Sequence, residues 1–449
     1  MKNYRVGYGR VDITPQESVP LAGFGNTSMR MSRCVRDPLY ASCFAITDEQ
    51  DTTLILMSLD LQRGNERETR VVRDFCLQEY GIPGQLVMVA GTHTHAAPDQ
   101  ANFAEPSMDR YRQLLDEKLP QCVTMAMEDR REAEMFMGDV EACGMNYVRH
   151  YVHTTQAGEK LYFGDAFGTP VLDETTAHAT EADPTVHIVK FVRRGAKDLV
   201  LVNFRAHGIL ASGSKVYDVS ADLMGGIRDA FESTTDALIT YFQGAAGNQN
   251  PFSRILKENI TKDCRAYGQV FAGYVKQGLE HLRPVAPDLI RNQQIGLELP
   301  VNKPDAALLE GCMAVREVWQ RTNDFKQSAA VGAPYGIRSP YQANAIYGRS
   351  KLEDMDTLEL NAITLGELAL VSAPNELFDT NSVFVEEHAP QKKVLTLGYC
   401  NDAKGYLPSR FGFEYGCYES DCCRFLPGVG EQVANTFLEM LRSLHENAF

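Results

Sequence analysis

The sequence predicts an α/β protein, with a mixed or parallel sheet core, helices on both faces and a metal site at the carboxyl ends of its strands. Three observations carry this. Short, continuously apolar runs recur along the chain, amphipathic stretches with helical spacing follow several of them, and each run empties into a polar or glycine-rich segment. No internal repeat or low-complexity stretch interrupts the pattern, so residues 1–449 read as one domain.

Residues 53–61 (TLILMSLDL) read as a buried strand. Residues 67–80 have helical spacing in Val71, Val72, Phe75 and Cys76, and stop at a Gly-Ile-Pro-Gly turn. Residues 85–90 are the next strand. Residues 109–128 are mostly helical, with Pro120 expected near a helix start or a kink. Strands follow at 198–206 and 237–243, a long helix at 260–282, strands at 368–372 and 394–397, and a closing helix at 431–444. Two stretches break the alternation and read as lids or binding loops. Residues 151–180 are polar and rich in glycine, and 322–353 contain Gly332, Pro334, Gly336 and Pro340.

Charge excludes several functions. Lys+Arg 44 against Asp+Glu 59 gives a net −15, which repels phosphate backbones and anionic headgroups, so neither nucleic acid nor a lipid surface is expected as partner. No apolar run approaches the ~18 residues of a membrane span, and no apolar segment follows Lys2, so neither a stable membrane anchor nor a secretion leader is expected. Eleven scattered cysteines, an odd number, suit the reducing cytoplasm better than a disulfide framework. Cys417, Cys422 and Cys423, with Cys400 upstream, leave a second metal site open, although their spacing matches no zinc pattern cleanly. The expected partner is a small molecule, and a homo-oligomer is left open.

The polar segments after the strands hold the candidate chemistry. His93 and His95 follow strand 85–90 in GTHTHAAP. His207 follows strand 198–206, Glu376 follows strand 368–372, and Asn401, Asp402 and Tyr406 follow strand 394–397. Sites in open α/β sheets form at carboxyl ends, so these groups can converge from distant parts of the chain. Two imidazoles and a carboxylate suit Zn²⁺ and leave a position for water. In extended chain His93 and His95 point the same way. Asp60, at the end of the first strand, is placed to fix a histidine tautomer.

Several of these segments also resemble a family. Gly7, Arg10 and Asp12-Ile13-Thr14-Pro15 resemble the opening G-x-x-x-x-D-I-T-P of the neutral/alkaline, non-lysosomal ceramidases, in their N-terminal catalytic domain. Thr92-His93-Thr94-His95 with Pro98 resembles their T-H-T-H-S-G-P. Asp37-Pro38-Leu39-Tyr40-Ala41, Asp183-Pro184, Ala206-His207-Gly208, Ser220-Ala221-Asp222, Pro374-Asn375-Glu376 and Tyr418-Glu419 follow in the family's order. The resemblance implies one zinc ion per chain on His93, His207, Glu376 and Tyr406, with Tyr399 close by as the alternative tyrosine. It implies proton transfer by His95 and contact of Arg149 with the substrate amide.

The chain departs from the family in three ways. Asn250, in Gly247-Asn248-Gln249-Asn250-Pro251, stands where the family has a serine considered as a nucleophile. No room is left for an immunoglobulin-like C-terminal domain, and no secretion signal is read. The expectation is therefore a zinc-dependent amidohydrolase acting through a metal-bound hydroxide on a small N-acyl compound rather than on membrane ceramide. His95, Arg149 and Asn250 are its catalytic groups, and Asn248 orients the substrate. The alternatives are a zinc-dependent esterase or phosphoesterase, and a ligand-binding homologue without catalysis.

Overall fold

The computed structural model describes residues 3–24, 30–101, 105–164, 174–213, 215–256 and 263–446. Its largest layer is a nine-stranded sheet. In spatial order the strands are Ala237–Gln243, Asp198–Phe204, Thr185–Arg193, Arg131–Glu141, Tyr4–Asp12, Tyr40–Thr47, Thr53–Leu59 and Val87–Gly91, with Arg283–Val285 paired to Arg131–Glu141 off that path. Pairing is antiparallel through the middle and parallel at both ends, where Asp198–Phe204 lies beside Ala237–Gln243 and Thr53–Leu59 beside Val87–Gly91. A second sheet runs Ile290–Pro300, Met355–Leu365, Leu368–Ser372, Lys393–Leu397, and its last pair is parallel. The fold is thus α/β with mixed sheets and helices packed around them.

The sheet ends close on one another, and this builds the site. Ser58 Oγ donates to Tyr241 O at 2.7 Å. Asn203 Nδ2 donates to Phe242 O and Thr396 O, at 3.0 Å each. Gly398 N donates to Gln243 O at 3.0 Å, and Asn401 N to Val89 O at 2.8 Å. Three parallel strand pairs, one from each end of the large sheet and one from the small sheet, thereby bring their carboxyl ends together. Strands buried on both faces carry no polar alternation, which is why these pairs read as continuous apolar runs.

Two expectations need correction. The stretch 322–353 is helical, not a loop. Phe325–Gly332 and Pro340–Ser350 flank a single 3₁₀ turn, Ala333–Tyr335, and pack with helix Ala306–Thr322 around Cys312, Val315, Ile337, Ala343 and Ile346. The residues that suggested a loop are helix punctuation: Pro340 opens the first turn behind the Ser339 cap, and Gly336 (φ 72°) ends the 3₁₀ turn. The stretch 151–180 contributes to a small antiparallel sheet of His150–Thr154, Lys160–Gly164 and Thr176–His178, while 165–173 lie outside the described residues. Pro120, expected near a helix start or a kink, lies inside the helix Pro106–Glu128. Among the described residues no helix is long and apolar enough to cross a membrane.

Candidate metal centre

His93 leaves strand Val87–Gly91 in the left-handed region (φ 68°), and Tyr399 leaves strand Lys393–Leu397 likewise (φ 52°). Such conformations cost about 1–3 kcal/mol outside glycine and cluster at functional sites. The turn turns His93 inward. Gly208 allows it, because a Cβ there would lie 2.7 Å from His93 O. Gly247 plays the same part under Glu376, whose carbonyl oxygen would sit 2.5 Å from a Cβ.

Five side chains meet at this point. His93 Nε2 lies 3.0 Å from His95 Nε2, 3.0 Å from the Tyr399 hydroxyl and 3.7 Å from Glu376 Oε2. His207 Nε2 is 3.4 Å from the same carboxylate oxygen. Donor atoms of His93, His95 and His207 all fall within 4.8 Å of one another. The Tyr399 ring stacks on His93 with centroids 3.9 Å apart.

The backbone fixes which nitrogens face inward. His93 Nδ1 is 2.8 Å from Gln62 O, and His207 Nδ1 is 3.1 Å from Gln249 O. A carbonyl only accepts, so each Nδ1 carries a proton, and in the neutral ring each Nε2 turns a lone pair to the centre. His95 differs: its Nδ1 has no partner, and its ring is only half-buried while His93 and His207 are 1% exposed. Among the described residues, the one hydrogen-bonding contact of its ring is Nε2 against His93 Nε2 at 3.0 Å.

The electrostatics follow. Burial drives the His93 imidazole well below its usual range and keeps it neutral. Burial lowers His95 as well, helped by the nearby charges of His207, Arg149, Arg30 and Arg63. Burial alone would raise Glu376, but the facing His93 and His207 and the Tyr399 hydroxyl offset this and hold it at about 2. The Tyr399 phenol is pushed well above its usual range by burial and by Glu376.

This set fits a divalent cation. His207 Nε2 and Glu376 Oε2 are buried acceptors without a hydrogen-bond partner, pointing at each other. Two facing acceptors without a proton between them are unfavourable unless a cation lies there. The metal ligands expected from sequence, His93, His207 and Glu376, are thus brought together from three strand ends.

Both tyrosines, Tyr406 and its alternative Tyr399, stand beside these groups with different partners. Tyr399 reaches the histidines, whereas the Tyr406 hydroxyl accepts from Arg149 Nη2 at 3.2 Å. Tyr406 stays close, because its backbone pairs with that of Glu376. Arg149 Nη2 also donates to Gly247 O at 2.8 Å and pairs with Glu419 Oε1 at 2.5 Å. Asn250 is buried in a two-residue strand against Tyr147 and Val148, beside the Gln249 carbonyl that holds His207.

Two assignments are overturned. Asp60 fixes no histidine: its Oδ2 accepts from Tyr40 N at 2.9 Å and pairs with Arg228 at 2.8 Å, and Gln62 O takes the tautomer-setting place. Asn248 does not face a substrate, because both ends of its amide are committed to Asp379: Nδ2 donates to Oδ1 at 2.7 Å and Oδ1 accepts from N at 3.1 Å. Gln249 Nε2 donates to the other Asp379 oxygen at 2.6 Å, so Asp379 shapes the loop that carries the His207-binding carbonyl.

His178 and His187 are half-buried and buried. The former bonds Val148 O and Ser253, and the latter bonds Asp139 and Glu386. All eleven cysteines are unpaired, and Cys417 alone of the C-terminal group joins a candidate ligand cluster, with His150 and Glu419. The Arg149 guanidinium already neutralises that carboxylate, so the cluster reads as an ion-pair network.

Two solved structures share this architecture. A ceramidase complexed with C2 superposes with a TM-score of 0.72 at 16% identity, covering 100% of this chain and 76% of the other. The neutral ceramidase from Pseudomonas aeruginosa gives 0.73 at 16% identity, covering 100% and 75%. The chain has the ceramidase fold. No family model matches it, and no curated protein matches its sequence.

Proposed function

We propose that this ceramidase-like protein is a zinc-dependent amidohydrolase that cleaves the N-acyl bond of a small compound, to give a carboxylate and an amine. The observation that carries the reading is the pair of orphaned acceptors, His207 Nε2 and Glu376 Oε2, meeting a His93 whose tautomer is set from behind. His93, His207 and Glu376, with the Tyr399 hydroxyl beside them, would hold the metal. The likeness in fold to two ceramidases supports amide chemistry. The net charge of −15 favours a soluble substrate over one embedded in an anionic membrane, and eleven free thiols favour the cytoplasm.

A zinc ion bound there supplies Lewis-acid polarisation of the acyl oxygen and acidifies a coordinated water. His95, neutral and untied at Nδ1, takes the proton of the attacking water and returns it to the leaving amine. Arg149 and the Tyr406 hydroxyl donate to the acyl oxygen as it gains charge. Asn250 has no ionisable oxygen to attack with, so no acyl intermediate forms on it.

The test is metal analysis of protein purified without chelator, with hydrolysis of a panel of N-acyl amines, N-acyl amino sugars, ceramide and simple esters. One zinc per chain and amide turnover are expected, both lost in His93→Ala. Unchanged metal content in that variant overturns the reading.

A further inference from the structure

Behind Arg149 lies a closed chain of buried groups that the reaction above does not use. Glu419 is 1% exposed. One of its oxygens pairs with Arg149 Nη2 at 2.5 Å, and the other accepts from His150 Nε2 at 2.9 Å. With Nε2–H donating to the carboxylate, His150 Nδ1 is left to accept from the Tyr415 hydroxyl, its neighbour on the far side. Phe378 packs against the His150 ring at 5.6 Å. Burial works against a charged Glu419, yet the facing Arg149 and His150 hold its carboxyl well below the usual carboxylate range.

The helix that carries Glu419, Tyr418–Cys422, is gripped from outside. Arg338 Nη2 pairs with Asp421 at 2.6 Å and Arg338 Nη1 donates to Gly416 O at 3.1 Å. Arg349 Nη1 donates to Asp421 O at 3.0 Å and to Cys423 O at 2.8 Å. On the inner side, the Tyr418 ring meets Tyr406 at 5.6 Å and Arg149 at 5.9 Å. Residues 418 and 419 therefore hold Arg149 on two sides, with the guanidinium turned to Tyr406.

We propose that Glu419 is a positioning residue: it fixes the Arg149 guanidinium beside Tyr406, in the orientation that meets the developing charge on the acyl oxygen. A guanidinium is a rigid planar fork, so an ion pair at one edge sets where the remaining N–H groups point. The inference rests on the hydrolase reading, in which Arg149 touches substrate. Glu419 touches none and acts through Arg149. His150 holds the second carboxylate oxygen through Nε2–H and is itself held at Nδ1 by the Tyr415 hydroxyl, so the carboxylate keeps its orientation.

The experiment compares wild type, Glu419→Gln, Arg149→Ala and the double variant as zinc-loaded protein, reading bound metal, kcat and KM on an N-acyl substrate. Glutamine keeps the shape but has one acceptor oxygen for two donors and no charge. Metal content is expected to stay at the wild-type level. Glu419→Gln should lower kcat by roughly 10- to 100-fold with KM changed less than threefold, the pattern of an interaction made in the transition state. The double variant should be no slower than Arg149→Ala, because groups acting through one another do not add.

Tyr415→Phe, a milder change at a half-buried ring, carries the same test if the glutamine variant does not fold, with a kcat several-fold below wild type and unchanged metal. Wild-type kcat in these variants, or a double variant showing the product of the two single losses, overturns the assignment alone. Wild-type protein that binds zinc and hydrolyses nothing on the panel overturns the hydrolase reading, and the assignment with it.

Discussion

Two buried clusters built around histidine and glutamate are linked through Tyr406, whose hydroxyl accepts from Arg149 and whose backbone pairs with that of Glu376, and they behave oppositely. Around His93, His207 and Glu376 the facing atoms are acceptors, and two of them have no partner. Around Arg149, His150 and Glu419 the carboxylate, imidazole and phenol are paired donor to acceptor in one chain. The first cluster is incomplete without a cation, and the second is complete as folded. Histidine and glutamate content is the same kind of signal in both; the proton count of the facing atoms separates them.

The sharpest way to break this contrast is to remove a carboxylate from each side and melt the metal-free protein. Glu419→Ala strands Arg149 in the interior, and breaking a buried pair costs about 3–5 kcal/mol. Glu376→Gln gives the amide N–H a partner in a neutral His207 Nε2, which offsets part of what the lost carboxylate contributed, so its metal-free destabilisation should be smaller than that of Glu419→Ala. Zinc adds to the cost of Glu376→Gln. It should stabilise wild type by about 2.7 kcal/mol at a free concentration one hundred times Kd, and much less the Glu376→Gln protein. Equal destabilisation by both substitutions without metal would show that the two clusters are alike.

The two tyrosines divide along the same line. Tyr399→Phe deletes a hydroxyl 3.0 Å from His93 Nε2 and should weaken zinc affinity by roughly 10- to 100-fold, the scale of losing a group next to the metal ligands. Tyr406→Phe deletes a hydroxyl held by Arg149 and should leave zinc affinity intact, while lowering kcat on the order of 10²-fold, the scale of one oxyanion donor. Isothermal titration with zinc and steady-state kinetics separate the two. Exchanged phenotypes would return the ligand role to Tyr406.

The strands that carry the site were legible because they are buried on both faces. TLILMSL, VMVAG and LALVS contain no exposed residue and no alternation to confuse with a helix face. The polar successors of VMVAG and LALVS gave His93 and Glu376, and the successor of Asp198–Phe204, buried in all but its first residue, gave His207. The antiparallel strands were harder: Arg131–Glu141 alternates buried and exposed residues around charged side chains, and reads as polar chain. The site assignments that changed depended on partners no spacing connects. Asn248 is captured by Asp379, 131 residues away, and Asp60 by Arg228, 168 residues away. Tyr399 reaches the histidines only because the chain turns left-handed there, which places its ring flat on His93. Glu419 was visible in sequence as part of a Tyr-Glu pair, but its job lies in what its two oxygens touch.

The smallest effect is on the pH dependence of folding, and it also separates the clusters. His95 is lowered well below its unfolded value of 6.5, so the unfolded chain binds more protons and metal-free stability falls as pH drops below about 6.5. Glu419 is lowered from 4.5, so its contribution persists above about 4.5 and fades only as pH falls further. Histidines titrate in the window between these values, together with Asp222, which burial raises to about 6 and which acts in the opposite sense to His95. His93 and His178, both lowered, act in the same sense as His95 there, and His187, raised by Asp139 and Glu386 against the effect of burial, acts in the opposite one. His95→Gln isolates one member: its melting temperature should fall less than that of wild type between pH 6.5 and 5 in the presence of chelator. Parallel curves would mean that the His95 imidazole takes up its proton as readily in the folded chain as in the unfolded one, and that burial does not favour its neutral form.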